Sequence, residues 1–243
     1  MKLKGIPGIN GLGKTNGVET GFDKFCLGTK LELNKNNVSE QFEKIYSFSK
    51  KISNKYFFFG GDHSISYPLV KGIWEKNPEI KLLVFDAHPD LMEPMPTPTH
   101  EEWLRALVED GFPVEKIMLL GIRKNSENVD SSEIDFARKK NIKIIYSSEV
   151  EDKKYVLEKF ISSGKIYFSL DIDVLDEKVF SSTGYPEKDG LSEKVFFELL
   201  DLVVSCKNLF WVDLVEINGK NIPEKEKQLI GKILKRFHIK TLV

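Results

Sequence analysis

The sequence predicts an α/β fold, a three-layer α/β/α arrangement around a mainly parallel central sheet, and three observations carry that expectation. From Tyr56 onward a short apolar run, a polar or glycine-rich corner and an amphipathic stretch follow one another repeatedly, the pattern of strands joined by crossover helices. Strands connected in that way lie parallel and need helices on both faces of the sheet. The 243 residues, 41% hydrophobic and 30% charged, suffice for one sizeable core. No Pro/Ser-rich linker, low-complexity tract or fixed-period repeat divides them, so a single domain over residues 1–243 is expected.

The stretch from Gly5 to Gly28 holds seven glycines and reads as an ordered loop or a flap with unusual dihedrals. Within it, Gly11-Leu12-Gly13-Lys14-Thr15 invites a phosphate-loop reading, which is set aside. Residues 39–50 read as a helix whose apolar face is Phe42, Ile45, Tyr46 and Phe48, with Ser39 as N-cap. Strands are expected at 56–59, 80–85, 117–120, 142–146, 166–170 and 209–215, and further helices at 67–76, 100–110, 131–140, 153–162, 192–205 and 224–237. A formal net charge of -1 provides no global field toward nucleic acid or an anionic membrane, so small molecules or further copies of the chain are the expected partners. Cys26 and Cys206 stand far apart without a C-x-x-C spacing, which argues against a disulfide framework or a thiolate zinc site and suits a reducing cytoplasm. The first residues carry no long apolar run, and no stretch approaches the length that spans a bilayer. Neither secretion nor membrane insertion is expected.

Sites in open parallel sheets lie beyond the carboxyl ends of the strands, and three clusters fall there. Gly60-Gly61-Asp62-His63-Ser64 follows the first strand, Asp86-Ala87-His88-Pro89-Asp90 the second, and Ser169-Leu170-Asp171-Ile172-Asp173-Val174-Leu175-Asp176 the fifth. Residues two apart on a strand point to one side, so Asp171 and Asp173 are expected to present their carboxylates together, as are Asp86 and His88. Carboxylates so concentrated repel one another strongly without a counter-charge. Two divalent cations restore the balance, and oxygen ligands with two imidazoles suit Mn2+ better than a structural Zn2+. Two-metal sites lower the pKa of a water and aim it at an electrophile, so hydrolysis is the leading reaction class.

These three clusters, together with Thr183-Gly184-Tyr185-Pro186-Glu187, Gly190-Leu191 and Asp213-Leu214-Val215-Glu216-Ile217-Asn218, resemble the signature motifs of the arginase/agmatinase (ureohydrolase) family in the family's order. Gly17-Val18-Glu19-Thr20-Gly21 resembles that family's N-terminal glycine segment. The resemblance implies a binuclear Mn2+ centre, with His63, Asp86, Asp90 and Asp171 holding one ion and Asp86, His88, Asp171 and Asp173 the other. It further implies that a metal-bridging hydroxide attacks the carbon of a guanidino substrate, that Asp90 orients it and passes its proton, and that Glu216 pairs with the guanidinium. His100 would serve as proton shuttle, and a trimer or hexamer is the usual assembly.

The departures from the family pattern bear on the substrate. Glu101-Glu102 follow His100 where glycine is usual, the loop from Leu91 to Thr99 lacks the Asn and Ser residues with which arginases grip an α-carboxylate, Tyr185 replaces a threonine, and Gly219 a proline. Glu187 matches agmatinase-like sequences, whereas Val18-Glu19 and Asp213-Leu214-Val215-Glu216 match arginases. Arg123, in Gly121-Ile122-Arg123, is expected to play a structural or subunit-interface part rather than to bind substrate. Hydrolysis of a formimino or acylated amine, or a non-catalytic paralogue, are the competing readings.

Overall fold

The structure is a computed structural model and describes residues 37–219 and 221–238. The glycine-rich segment, its Gly17–Gly21 motif and Cys26 lie outside the described residues. So does Gly8 through Thr15, which has the full Gly-x-x-x-x-Gly-Lys-Thr spacing; spacing alone is therefore no ground for setting the phosphate-loop reading aside.

In chain order the elements are α1 (Val38–Ser49), β1 (Tyr56–Phe59), α2 (Ser66–Lys76), β2 (Lys81–Phe85), α3 (Trp103–Glu109), β3 (Ile117–Ile122), α4 (Ser131–Lys140), β4 (Lys143–Tyr146), α5 (Lys154–Ile161), β5 (Ile166–Asp171), α6 (Glu193–Ser205), β6 (Leu209–Val215) and α7 (Glu224–Arg236). Every expected strand and helix is present, with ends moved by up to a few residues. The cap of α1 is Asn37, whose side chain accepts from Glu40 N–H, not Ser39. The helix expected from His100 begins at Trp103, leaving His100 on the preceding turn.

The six strands form one sheet in the order β1-β6-β5-β2-β3-β4, every pair parallel. Alternate strand residues feed two cores, one on each face. Leu82, Val84, Leu119 and Trp211 pack with α1 to α4, while Leu83, Phe85, Leu120 and Val212 pack with α5 to α7. This is the predicted three-layer arrangement, and it explains why consecutive strand residues such as Leu82 and Leu83, or Trp211 and Val212, are apolar on both sides of the sheet.

The chain runs β2-β3-β4 toward one edge, then returns to place β5 beside β2 and continues to β6. The reversal between β2 and β5 opens a crevice beyond their carboxyl ends, the switch point where such sheets bind ligands. Among the described residues no helix is long and apolar enough to cross a membrane.

Candidate metal centre

Four adjacent strand ends bring the sequence clusters together. After β1 the chain turns through Gly60 and Gly61 into a short helical turn, His63–Ile65, that buries the imidazole. β2 ends at Phe85, so Asp86, His88 and Asp90 lie on the loop beyond it. β5 ends at Asp171 itself, and Asp173 sits on the turn Ile172–Val174. Strand alternation therefore predicted the right partners for a reason the backbone does not obey. The two carboxylates meet because the turn folds Asp173 back, with its N–H donating to Asp171 Oδ1 at 2.9 Å.

In Asp86, Asp171 and Asp173 one oxygen is anchored by a backbone N–H and the other is aimed inward, whereas Asp90 uses its Oδ2 for both. Asp86 Oδ1 accepts from His88 N–H at 2.7 Å, and Asp173 Oδ1 from Ala87 N–H at 3.0 Å. The Oδ2 oxygens of Asp86, Asp90 and Asp171 converge on His63 Nδ1 at 3.0, 3.0 and 3.2 Å. Asp173 Oδ2 lies 3.0 Å and Asp86 Oδ1 3.7 Å from His88 Nδ1. Trp103 Nε1 donates to Asp90 Oδ2 at 2.6 Å and fixes that side chain.

Both imidazoles are held from behind. His88 Nε2 meets Glu187 Oε1 at 3.3 Å, and Glu187 also accepts from Ser126 and Asn128. His63 Nε2 meets Ser169 Oγ at 2.8 Å. The Ser169 hydroxyl proton is already committed to Asp213 Oδ1 at 2.6 Å, and Asp213 Oδ2 accepts from Ser66 at 2.9 Å and Tyr167 at 2.6 Å. Ser169 can therefore only accept from His63, which fixes a proton on Nε2, so that in the neutral ring Nδ1 is a lone pair facing three carboxylates. Sequence reasoning missed this buried Ser66–Tyr167–Ser169–Asp213 network and the Trp103 and Glu187 supports. Period-two spacing carried part of the signal, since Tyr167, Ser169 and Asp171 alternate along β5.

The residues fit a divalent ion. His63 Nδ1 and Asp86 Oδ2 are buried and make no hydrogen bond, an arrangement that costs on the order of 1–3 kcal/mol per group unless a cation completes it. Donor atoms about 2.1 Å from an ion and at right angles lie ~3.0 Å apart, the separations seen here. His63, Asp86 and Asp90 form one group that could hold an ion, and Asp86, His88 and Asp173 a second. Asp171 joins the first through its 3.2 Å approach to His63.

The electrostatics agree. Burial, reinforced by Asp173 for Asp86 and by Asp86 for Asp90, pushes each of these carboxyls up to about 6. Asp171 is driven well above the carboxylate range by burial and by the charges of Asp173 and Asp86. Burial would lower His88, but Asp173 and Glu187 outweigh it and raise the ring to about 12; Asp171, Asp86 and Asp90 likewise raise His63 against burial. The cluster thus attracts positive charge, and a metal ion displaces the protons that would otherwise supply it.

Above the cluster opens a cavity of about 230 Å3. Glu216 reaches it from the end of β6, with Oε1 taking His63 N–H at 2.7 Å. A Cβ added at Gly184 would stand 3.4 Å from Oε2, so glycine leaves that oxygen approachable. Asp90 and Glu216 both adopt left-handed backbone, at φ 54° and 62°, conformations that persist where surroundings enforce them and that gather at functional sites. Burial raises the Glu216 carboxyl, tempered by the His63 N–H and charge. His100 lines the same cavity with Nε2 buried and unpartnered. The Tyr185 ring stacks on it at 5.8 Å and meets His88 edge-on at 6.3 Å.

Arg123 is not a cavity residue. It is buried, and its guanidinium donates to the carbonyls of Gly121, Asp173, Val174, Leu175 and Lys188. It pins the turn that carries Asp173, the structural part expected of it.

Carboxylates and imidazoles gathered at the switch point of a parallel sheet define a class of metal-site α/β proteins, and comparison with known proteins makes the assignment specific. Residues 17–237 match the model of the Arginase family, and the chain belongs to that family. It is 32% identical over 163 residues to the N(1)-aminopropylagmatine ureohydrolase of Thermus thermophilus, covering 65% of this chain and 53% of that protein. With the guanidinobutyrase of Pseudomonas aeruginosa it shares 27% identity over 183 residues, 71% of this chain and 56% of that one. The chain thus spans about half the length of these curated relatives. The solved formiminoglutamase variant of Trypanosoma cruzi with Mn2+ superposes with a TM-score of 0.75 at 21% identity, over 83% of this chain and 70% of that one, a likeness of fold.

Proposed function

We propose that the protein hydrolyses a guanidino compound to urea and an amine, using two Mn2+ ions. The observation that carries this reading is the convergence of carboxylate oxygens from the ends of β2 and β5 on the unpartnered Nδ1 of His63, which follows β1. His63, Asp86, Asp90 and Asp171 would hold one ion, and Asp86, His88, Asp171 and Asp173 the other. When bound, the pair supplies Lewis acidity and a water of lowered pKa.

The chain's own residues supply the rest. Glu216 Oε2 pairs with the planar guanidinium, whose N–H groups match a carboxylate, and orients the carbon over the cluster. Addition of a water oxygen to that carbon and cleavage of one C–N bond require that the leaving nitrogen gain a proton. His100 makes that donation from Nε2, and Asp90, fixed by Trp103, accepts the proton given up by the water. The same reading takes residues 1–243 as one domain in a cytoplasmic homo-oligomer, a trimer or hexamer, in keeping with the family resemblance.

Urea release from agmatine, arginine, 4-guanidinobutyrate and free guanidine with added Mn2+, against a chelated control, tests the reading. Glu216→Gln should lose activity while still binding Mn2+. Absence of urea from every compound would overturn the proposal.

A further inference from the structure

The face that α7 buries runs through Glu226, Leu229, Ile230, Ile233 and Leu234. A carboxylate breaks that apolar pattern, and burying it costs free energy unless hydrogen bonds offset the loss of water. An acidic residue in the first turn suits the helix dipole, but the exposed Glu224 already serves that purpose. Glu226 finds its partners outside the helix, on the loop that follows β5. Its Oε1 accepts from Ser181 N–H at 2.9 Å and Ser181 Oγ at 2.8 Å, and its Oε2 from Ser182 N–H at 3.1 Å. Burial would raise the carboxyl, but the bonds from Ser182 and Ser181 outweigh it and hold it below its ordinary value, so it is ionised at neutral pH.

The two serines open a segment whose far end is also fixed. Glu187 is bound to His88, Ser126 and Asn128, and its carbonyl accepts Glu177 N–H at 2.8 Å. Asn218 N–H adds a tie to the Ser182 carbonyl at 2.8 Å. Between these anchors stand Gly184, beside Glu216 Oε2, and the half-exposed Tyr185, whose ring stacks on His100. Thr183 Oγ1 is buried without a partner, so that hydroxyl adds no tether. Glu216 is held from elsewhere, by His63 N–H on Oε1 and by its own N–H on the Gly61 carbonyl at 2.8 Å. His100 depends more on the segment, because its buried Nε2 makes no hydrogen bond and Tyr185 lies against its ring.

We infer that Glu226, on a helix that lines no part of the cavity, is a positioning residue: from the first turn of α7 it fixes Ser181 and Ser182 so that Tyr185 stays stacked on His100 and keeps it aimed for proton donation. This rests on the hydrolytic reading above and on the part it gives His100. Each hydrogen bond favours the closed loop over open forms by about two- to tenfold, and a misplacement of about 1 Å can cost a reaction on the order of a hundredfold.

The test compares Glu226→Gln, which keeps one carbonyl acceptor, Glu226→Met, which fills the same place on the apolar face with none, and Ile233→Ala, which weakens α7 by a cavity on that face. On the Mn2+-loaded protein two quantities are followed: urea release from the guanidines named above, and the rate at which diethyl pyrocarbonate modifies His100, located by peptide mass spectrometry. Glu226→Met should lower kcat at least about tenfold while KM moves less than about threefold, and His100 should be modified at least about tenfold faster. Glu226→Gln should lie between Glu226→Met and the parent in both, and Mn2+ affinity should stay parental because Glu226 touches no proposed ligand. Ile233→Ala should lower the melting temperature and leave kcat and the His100 rate parental. A parental kcat, a loss confined to KM or a parental His100 rate in Glu226→Met overturns the inference, as do equal effects in Ile233→Ala, since Glu226 would then only stabilise α7. If no guanidine yields urea, the hydrolytic reading fails by itself, and the His100 rate decides alone: faster modification in Glu226→Met but not in Ile233→Ala upholds the positioning, and any other pattern overturns it.

Discussion

Replacing Asp213 by Asn should weaken Mn2+ binding without touching a proposed ligand. Asp213 is wholly buried and accepts three hydroxyl protons, one of them from Ser169. An amide keeps two of those bonds only by placing its NH2 where Oδ1 now stands. Ser169 must then accept from the amide and turn its own proton toward His63 Nε2. For His63 to keep Nδ1 free, Nε2–H would face that hydroxyl proton, stranding a buried donor at a cost of about 1–3 kcal/mol. Otherwise the ring takes the other tautomer and blocks Nδ1. Either way the affinity for Mn2+ should fall about 10- to 100-fold, the range typical of lost outer-shell partners. Titration followed by the EPR signal of free Mn2+ measures it, with circular dichroism confirming the fold. Ser169→Ala deletes the acceptor without opposing it and should cost less. An affinity within twofold of the parent in Asp213→Asn, or the reverse order of the two variants, would refute the tautomer argument.

Arg123→Met should destabilise the protein by at least about 3 kcal/mol in urea denaturation, because five backbone carbonyls lose their donor at once. Chelation should lower the melting temperature: ions at a hundredfold over their Kd contribute about 2.7 kcal/mol. Glu133 is pushed up to about 7 from an unfolded value of 4.5, chiefly by burial. A raised carboxyl favours the folded state while protonated, so its contribution is full below 4.5 and lost as pH rises through 7. Glu133→Gln should flatten that part of the stability curve, by about 3 kcal/mol at most. An unaltered slope would mean that another group carries it.

Much of this was legible in the chain because it depends on local pattern. Apolar runs separated by amphipathic stretches located all six strands, and the clusters after β1, β2 and β5 fall at strand ends, where a parallel sheet collects its ligands. The Arg123 reading held because a buried guanidinium needs several acceptors, and the turn at Asp173 to Leu175 supplies them. What escaped were pairings set by packing across the sheet. Ser66, Tyr167, Ser169 and Asp213 come from three elements, and although Ser169 and Asp213 stand in the motifs quoted above, only the register of β5 against β6 joins them. His100 escaped its expected helix because Glu102 turns back to accept from Thr99 N–H at 2.6 Å, which delays the helix to Trp103.

The seam between β2 and β5 joins residues distant in the chain, Phe85 beside Leu170, and the proposed ions would be gripped by Asp86 from one side and Asp171 from the other. They would work as a clasp across the intervening loop, closed only after β5 has docked. Metal uptake would then follow the docking of β5: a chain still emerging from the ribosome, with β5 unmade, would lack Asp171 and Asp173 and could present only four of the six proposed ligands. In the finished protein, removing the ions should loosen the β2–β5 seam first, visible as faster amide exchange there than at β1–β6.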